Sequence, residues 1–410
     1  MIKKIIKTVF VGILASLIGF SVWMAKPWLD YDPWRWYLAA KEGWRADHFS
    51  HWERVQPYRT IPASSRPREF ERKTGDLSQV MYEFDGQQYP VTHYIEKANI
   101  AGLLVMYGGK VRFEYYGKGI EQNSSYHIWS ATKSFTSTLV GMALFEGKIS
   151  SLDDPVEKYA PQFKGSAYGE TSIRHLLMMS SGIDFFHFKG KPDRTDMYWD
   201  IIQKGEDFDK WAAELGRRVS EGTDFNYIAT DTHVASAVLR TVYGKPLAEI
   251  AHDKLWEPGG FAGDAMWAQD SSGHALGHCC LSVRLQDFAH LGQLYLEDLV
   301  LQGQPTVSEE WFNMVEKPHA DFQEPYIDVD TGKLEEGYTF QFWLPENYDH
   351  EFMAAGAFGQ YLWIDRKLKY VVAQFSIGQP IGRKGESGAG PREKEAVMRA
   401  LGRAVIAATK

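Results

Sequence analysis

In the stretch Trp129-Ser130-Ala131-Thr132-Lys133-Ser134-Phe135 a serine and a lysine stand three residues apart, and an apolar series follows at Leu139, Val140, Met142, Ala143 and Leu144. The series predicts a buried helix with Ser130 at its first turn. Three-residue spacing puts Ser130 and Lys133 on one helical face, within reach of each other. Such a pair can serve as nucleophile and base, provided burial lowers the lysine pKa until the amine accepts the serine proton. The helix N-terminus favours the negative charge that then develops. This is the single Ser-x-x-Lys in the chain, and a tetrapeptide of this kind also arises by chance, with an ordinary helix cap as the plain alternative.

Other constellations are weaker. No Gly-x-Ser-x-Gly elbow occurs, which argues against a Ser-His-Asp hydrolase. His274 and His278, four apart and running into Cys279-Cys280, offer soft ligands for zinc, but Gly273 and Gly277 break the helix that would align them. His48 and His51 have only Asp47 beside them. No metal and no cofactor are therefore expected. The adjacent cysteines are expected to be buried thiols, because a bridge between neighbours is strained.

The elements that position these residues can be read from periodicity. Ala101–Tyr107 and Lys110–Tyr116 are β-rich runs around Gly108-Gly109, the mark of a tight hairpin. Tyr338–Leu344, Gln360–Ile364 and Tyr370–Ser376 read as strands, followed by a helix from about Pro391 to Ala408. Between these ends the pattern is helical. Thr171 or Ser172 caps a helix carrying Ile173, Leu176 and Leu177 and stopped by Gly182; Asp231 caps another carrying Val234, Val238 and Val242, stopped by Gly244. The expected fold class is α+β: an antiparallel sheet formed by both chain ends and flanked by helices, with an inserted all-helical lobe and a site in the cleft between. No linker or repeat divides residues 75–410, which read as one domain.

From Thr8 to Ala25 there is no charge, and Lys3, Lys4 and Lys7 stand just before. The run predicts a transmembrane signal-anchor over 8–25, with residues 1–7 in the cytoplasm. The remainder would then lie on the periplasmic side of a bacterial inner membrane, or be secreted to the periplasm after signal cleavage. Trp28, Trp34, Trp36, Tyr37 and Trp44, in the segment 26–74, suit either an interfacial aromatic belt or a helix packed on the body. A net charge of −8 without any clustered Lys/Arg run excludes a nucleic-acid partner. Oligomeric state is not legible.

Several blocks, taken in order, resemble the serine β-lactamase and penicillin-binding-protein superfamily, specifically the class C-related hydrolases that include 6-aminohexanoate-dimer hydrolase and related esterases. They are Trp129–Ser137, Gly147-Lys-Ile149 with Asp153-Asp-Pro155, Thr171–Leu177 with Ser181-Gly182, and Gly222–Tyr227 running into Asp231-Thr232. Leu255-Trp-Glu-Pro258, Arg284–Tyr295 and Gly356-Ala-Phe-Gly-Gln360 complete the series, which covers about residues 75–408. The resemblance implies that Tyr227 lies beside the Ser-Lys pair, as a tyrosinate or a hydrogen-bonded phenol that relays the serine proton. It also implies an oxyanion hole made by the backbone N–H groups of Ser130 and Ala357, with Gly356 allowing close approach. Gly356, Gln360, Asp184 and Trp199 are the expected substrate-binding positions. The stretch Asp184–Trp211, with Phe185, Phe186, His187, Tyr198 and Trp199, is expected to form a pocket wall or lid, or to pack between helices.

Two departures narrow the chemistry. Where the family often has Tyr-x-Asn, this chain reads Tyr227-Ile228-Ala229, and where β-lactamases have Lys-Thr-Gly it reads Ala354-Ala355-Gly356. Both losses count against β-lactams and D-alanyl peptides. What they leave is a serine hydrolase acting on a small-molecule ester or small amide through an acyl-enzyme. The competing expectation is a catalytically silent relative that recognises a cell-wall fragment or a protein partner.

Overall fold

The computed structural model describes residues 2–25, 38–39, 41–186, 192–329, 333–378 and 389–409. Trp28, Trp34, Trp36, Tyr37 and His187 of the sequence reading lie outside the described residues. Helix α1 covers Ile2–Ala25 and takes Lys3, Lys4 and Lys7 into its first two turns. Its charge-free part rises about 27 Å, against about 30 Å for a hydrocarbon core, and Gly12, Ser16, Gly19 and Ser21 interrupt the apolar surface. Among the described residues no helix is long and apolar enough to cross a membrane. The expected transmembrane anchor over 8–25, the membrane partnership and the single-pass inner-membrane location are corrected accordingly.

The rest is an α+β body. After the short helix α2 (Arg45–Ser50) comes strand β1 (Tyr58–Ile61), then the hairpin β2 (Ile100–Tyr107) and β3 (Lys110–Tyr116). Gly108 and Gly109 turn it with φ of 61° and 69°, the two left-handed positions that a tight hairpin demands. Strand β4 (Ser125–His127) leads towards helix α3 (Thr132–Phe145). The helical lobe includes α4 (Ile173–Leu177), α5 (Arg194–Tyr198) and α6 (Ala229–Tyr243). Strands β5 (Ala265–Ala268) and β6 (Leu281–Arg284) follow, and β6 runs directly into α7 (Leu285–Leu296). The chain ends with β7 (Gly337–Tyr338), β8 (Trp343–Leu344), β9 (Glu351–Gly356), β10 (Gln360–Asp365), β11 (Tyr370–Ser376) and α8 (Pro391–Ala407).

Both chain ends build the main sheet, in the order β7-β8-β9-β10-β11-β2-β3, every neighbouring pair antiparallel. It is buried on both faces, which is why β2 is apolar along its whole length rather than alternating. Leu104 and Met106 join the core beneath α7 with Phe288 and Leu291. Leu103 and Val105 point the other way, into a cluster with Val397, Met398 and Leu401 of α8. A smaller sheet, β1-β5-β6-β4, ties the N-terminal segment to the body through Tyr58↔Ala268 and Ile61↔Ala265.

Two local expectations need correction. Asp231 does not cap α6; the cap is Ile228, and Asp231 lies buried in the first turn. Ser172 does cap α4, accepting the His175 N–H. Cys279 and Cys280 are buried, but as a disulfide rather than as thiols; the left-handed backbone at Cys280, φ 77°, turns the neighbouring side chains together.

Helix α8 lies so close to the sheet that a Cβ on Gly402 would sit 2.3 Å from the Tyr370 ring. The Gly402→Ala substitution is expected to destabilise the protein by about 1–3 kcal/mol, read as a lower midpoint with unchanged slope in urea unfolding.

Candidate active site

Ser130 sits in a single 3-10 turn, Trp129–Ala131, that joins β4 to α3. The residue before it, Trp129, is left-handed with φ 51°, a costly conformation for a bulky side chain that persists only where surroundings hold it. Helix α3 is buried from Thr132 to Ala143 although it carries many hydroxyls. Each of those finds a partner: Ser134 Oγ donates to Gln341 O (2.7 Å), Ser137 Oγ to Phe340 O (2.8 Å), Thr136 Oγ1 to Gly277 O (2.7 Å) and Thr138 Oγ1 to Ser134 O (2.8 Å), while Thr132 Oγ1 accepts the Leu281 N–H (3.1 Å). The hydroxyls of Ser134, Thr136 and Ser137 thus fasten α3 to the loops around it, and a buried polar group so satisfied carries little penalty.

Lys133 is 2% exposed. Its Nζ lies 3.3 Å from Ser130 Oγ and donates to the His278 carbonyl at 2.7 Å. Among the described residues no carboxylate pairs with it. Burial, helped by the positive charge of Arg194 and opposed by Asp231, brings its pKa down to about 7, because desolvation disfavours the ammonium. Lys133 Nζ also stands 4.9 Å from the centre of the Tyr227 ring.

Tyr227 packs against Tyr338 and Trp343, with ring centres 5.7 and 5.2 Å away. Burial pushes its phenol well above the usual range, although a hydrogen bond with Ser130 works the other way. Of the two forms allowed by the sequence, the neutral hydrogen-bonded phenol is therefore the one present near neutral pH. The preceding residue anchors the segment: Asn226 donates through Nδ2 to Phe185 O (3.0 Å) and through its backbone N–H to Met179 O (2.8 Å).

The end of β9 completes the centre. A Cβ on Gly356 would meet the Ile128 carbonyl oxygen at 2.1 Å, so the strand end lies against the backbone that leads into Ser130. Ala357 follows, then Phe358 with φ 67°. Gln360 is fully buried and its amide is committed: Nε2 donates to Ser376 O (2.6 Å) and Ala357 O (3.3 Å), and Oε1 accepts the Ser376 N–H (3.1 Å). It supports the turn that carries Ala357. Asp184 is half-buried, with its N–H on Gly216 O at 2.9 Å, and Trp199 is 42% exposed at the end of α5.

Residues that the sequence suggested for other roles lie around the centre or near it. Tyr198, one of the aromatics of the Asp184–Trp211 stretch, places its hydroxyl 3.2 Å from His278 Nε2 and 3.6 Å from Cys279 Sγ, beside the carbonyl that holds Lys133; burial pushes its phenol up to about 12. Asp231 Oδ1 accepts from Tyr168 Oη and Ser181 Oγ, both at 2.7 Å, and burial raises its carboxyl to about 7. His274 lies beside Asp270 and Asp209, at 3.7 and 4.0 Å, while the His278 ring meets Phe208 and Tyr198. A carbonyl acceptor leaves no signature in a sequence, and an aromatic residue in an aromatic-rich stretch leaves little.

Residues 91–389 match the beta-lactamase family. The chain belongs to that family. It is 28% identical over 292 residues to 6-aminohexanoate-dimer hydrolase of Paenarthrobacter ureafaciens, an alignment covering 69% of this chain and 74% of the relative. Its fold resembles a Bacillus anthracis protein assigned as a 6-aminohexanoate-dimer hydrolase, with a TM-score of 0.76, 18% identity, and 90% and 95% of the two chains covered. A family VIII carboxylesterase is similar with a TM-score of 0.57, 16% identity, and 76% and 95% covered. At such identities the two structures speak for the fold alone. With the family and its 6-aminohexanoate-dimer hydrolase relatives established, this beta-lactamase-family chain is a serine hydrolase.

The contact between Gly356 and Ile128 can be tested. Gly356→Ala is expected to push the end of β9 away from Ser130 and to lower hydrolytic activity by about 10²-fold or more. The measurement is kcat per folded molecule, with folding checked by circular dichroism.

Proposed function

We propose that this hydrolase cleaves a small ester or amide by acyl transfer through Ser130. The observation that carries the reading is Lys133, buried without a carboxylate partner among the described residues and 3.3 Å from the serine hydroxyl. Ser130 Oγ gives its proton to the neutral Lys133 amine and adds to the substrate carbonyl carbon. The resulting oxyanion takes hydrogen bonds from the N–H groups of Ser130 and Ala357. Collapse expels the alkoxide or amine, which recovers a proton through the Tyr227 phenol and Lys133. Water then enters, gives a proton to Lys133 along the same route and adds to the acyl carbon, and collapse releases the acid while Ser130 Oγ takes that proton back.

The substrate class rests on what the site lacks. Ala229 and Ala354 are buried and aliphatic where a side-chain amide and an ammonium would otherwise face a β-lactam or a D-alanyl peptide. Ester and small-amide cleavage needs neither. Similarity to a 6-aminohexanoate-dimer hydrolase is consistent with a linear amide among the substrates.

Three outcomes are expected. The wild type hydrolyses short acyl nitrophenyl esters and is labelled on Ser130 by a fluorophosphonate, and Ser130→Ala loses both; a wild type that is inert and indistinguishable from Ser130→Ala sinks the reading. Because the deprotonated amine is the base, kcat/KM is expected to rise about tenfold per pH unit below about 7 and to level off above it, as measured by initial rates across pH 5–9. Tyr227→Phe is expected to lower turnover by about 10²–10⁴-fold, with rapid-quench mass spectrometry of the acyl-enzyme showing which half-reaction slows.

A further inference from the structure

The N-terminal segment ahead of the family-matched residues packs on the catalytic centre itself. Phe49 of α2 has its ring centre 5.3 Å from Trp129 and 5.2 Å from Phe358, and those two rings are 5.1 Å from each other. Trp129 immediately precedes Ser130, and Phe358 immediately follows Ala357. Each is a bulky residue in the left-handed region, φ 51° and 67°. One phenylalanine from the start of the chain thus closes an aromatic trio over two strained residues, each adjoining one of the two N–H groups that the acyl-transfer reading uses.

Two further residues of the same segment make the contact a clamp. Trp52 lies 5.2 Å from Trp129 and stacks on His127 at 3.8 Å with an interplanar angle of 1°. Burial keeps His127 well below the usual imidazole range, so the ring in that stack is neutral. Arg45 places its guanidinium 4.8 Å from the Phe358 ring centre and donates through Nη1 to Ile377 O (3.1 Å) and Gly378 O (2.7 Å), just past the end of β11. Phe49 and Trp52 are 0% and 2% exposed. Strained backbone of this sort survives only where neighbouring groups over-determine it; residues 45–52 add Phe49, Trp52 and Arg45 to the contacts that the Trp129 and Phe358 rings make with each other and that Trp129 makes with His127 at 4.6 Å.

We propose that Phe49, with Trp52 and Arg45, is a positioning element for the oxyanion hole, holding Trp129 and Phe358 so that the N–H groups of Ser130 and Ala357 keep their mutual geometry. The inference rests on the acyl-transfer reading of those two residues. It assigns the N-terminal segment a part in transition-state stabilisation, with no contact to substrate required.

The test compares wild type, Ser130→Ala, Phe49→Ala, Phe49→Leu, Arg45→Met and, as a control in the core on the opposite face of the sheet, Leu401→Ala. A short nitrophenyl ester gives kcat and KM per folded molecule, and an arylboronic acid, whose serine adduct places an oxygen in the hole, gives transition-state-analogue affinity. Phe49→Ala is expected to lose about 10²-fold in kcat with KM within about twofold, and to lose boronate affinity in parallel. Phe49→Leu is expected to recover most of both, and Leu401→Ala to keep wild-type kcat. If Phe49→Ala folds poorly, Arg45→Met is read by the same two measurements and is expected to shift both in the same direction. An active wild type with Phe49→Ala and Arg45→Met unchanged in kcat and boronate affinity overturns the inference alone, as does an equal kcat loss in Leu401→Ala. A wild type without Ser130-dependent hydrolysis overturns the acyl-transfer reading and the inference together.

Discussion

A lysine amine buried beside a serine hydroxyl, its pKa brought down to about 7 by desolvation, is the constraint around which this centre is arranged. A lysine beside a carboxylate would hold its charge; Lys133 instead meets a backbone carbonyl, which accepts one N–H without contributing a full negative charge. The polar side chains of α3 are spent on carbonyls of the loops that surround it, so the helix can be buried without bringing acids to its face. Asp231 opposes this arrangement electrostatically, yet its own carboxyl is raised to about 7 by the same burial.

The sheet supplies the second half of the centre. Antiparallel pairing of β9 with β10 and of β10 with β11 fixes where the Gly356–Phe358 turn emerges, and the buried Gln360 amide bridges that turn to Ser376. Gly356 matters for the side chain it lacks, since Ile128 O occupies the space a Cβ would need. Helices α7 and α8 press the sheet from its two faces, with Gly292 against Val371 and Leu362 and Gly402 against Tyr370. The geometry around Ser130 is thus a property of the packed layers, not of its own helix.

Much of this was legible from local pattern. The Ser130–Lys133 spacing, the Gly108-Gly109 hairpin and the apolar runs of β10 and β11 all express short-range rules, and the sheet built from both chain ends followed from where such runs fall. Contacts set by tertiary placement were not legible. The aromatic run Trp28–Trp44 has no periodicity that distinguishes a belt from a helix packed on the body, and only packing reveals Phe49, beyond that run, between Trp129 and Phe358. The Thr8–Ala25 run suggested a span from its missing charge and its length, whereas among the described residues no helix is long and apolar enough to cross a membrane. The cysteine pair misled because the expectation assumed ordinary backbone, whereas Cys280 is left-handed. Asp231 was assigned to a cap on residue type alone, when the helix begins two residues earlier.

The pairing of β2 with β11 has a consequence in time. Ser130 and Ala357 are separated by more than half the chain, so a ribosome that has made the serine and its lysine has yet to make the strands that finish the sheet. In a nascent chain that has not yet buried Lys133, the desolvation that brings its pKa down to about 7 is missing. Sheets closed by distant segments also form late, once loop closure across the whole chain has been met. The contact of Gly356 with the Ile128 backbone thereby arrives only with the last-made strands, long after Ser130 and Lys133.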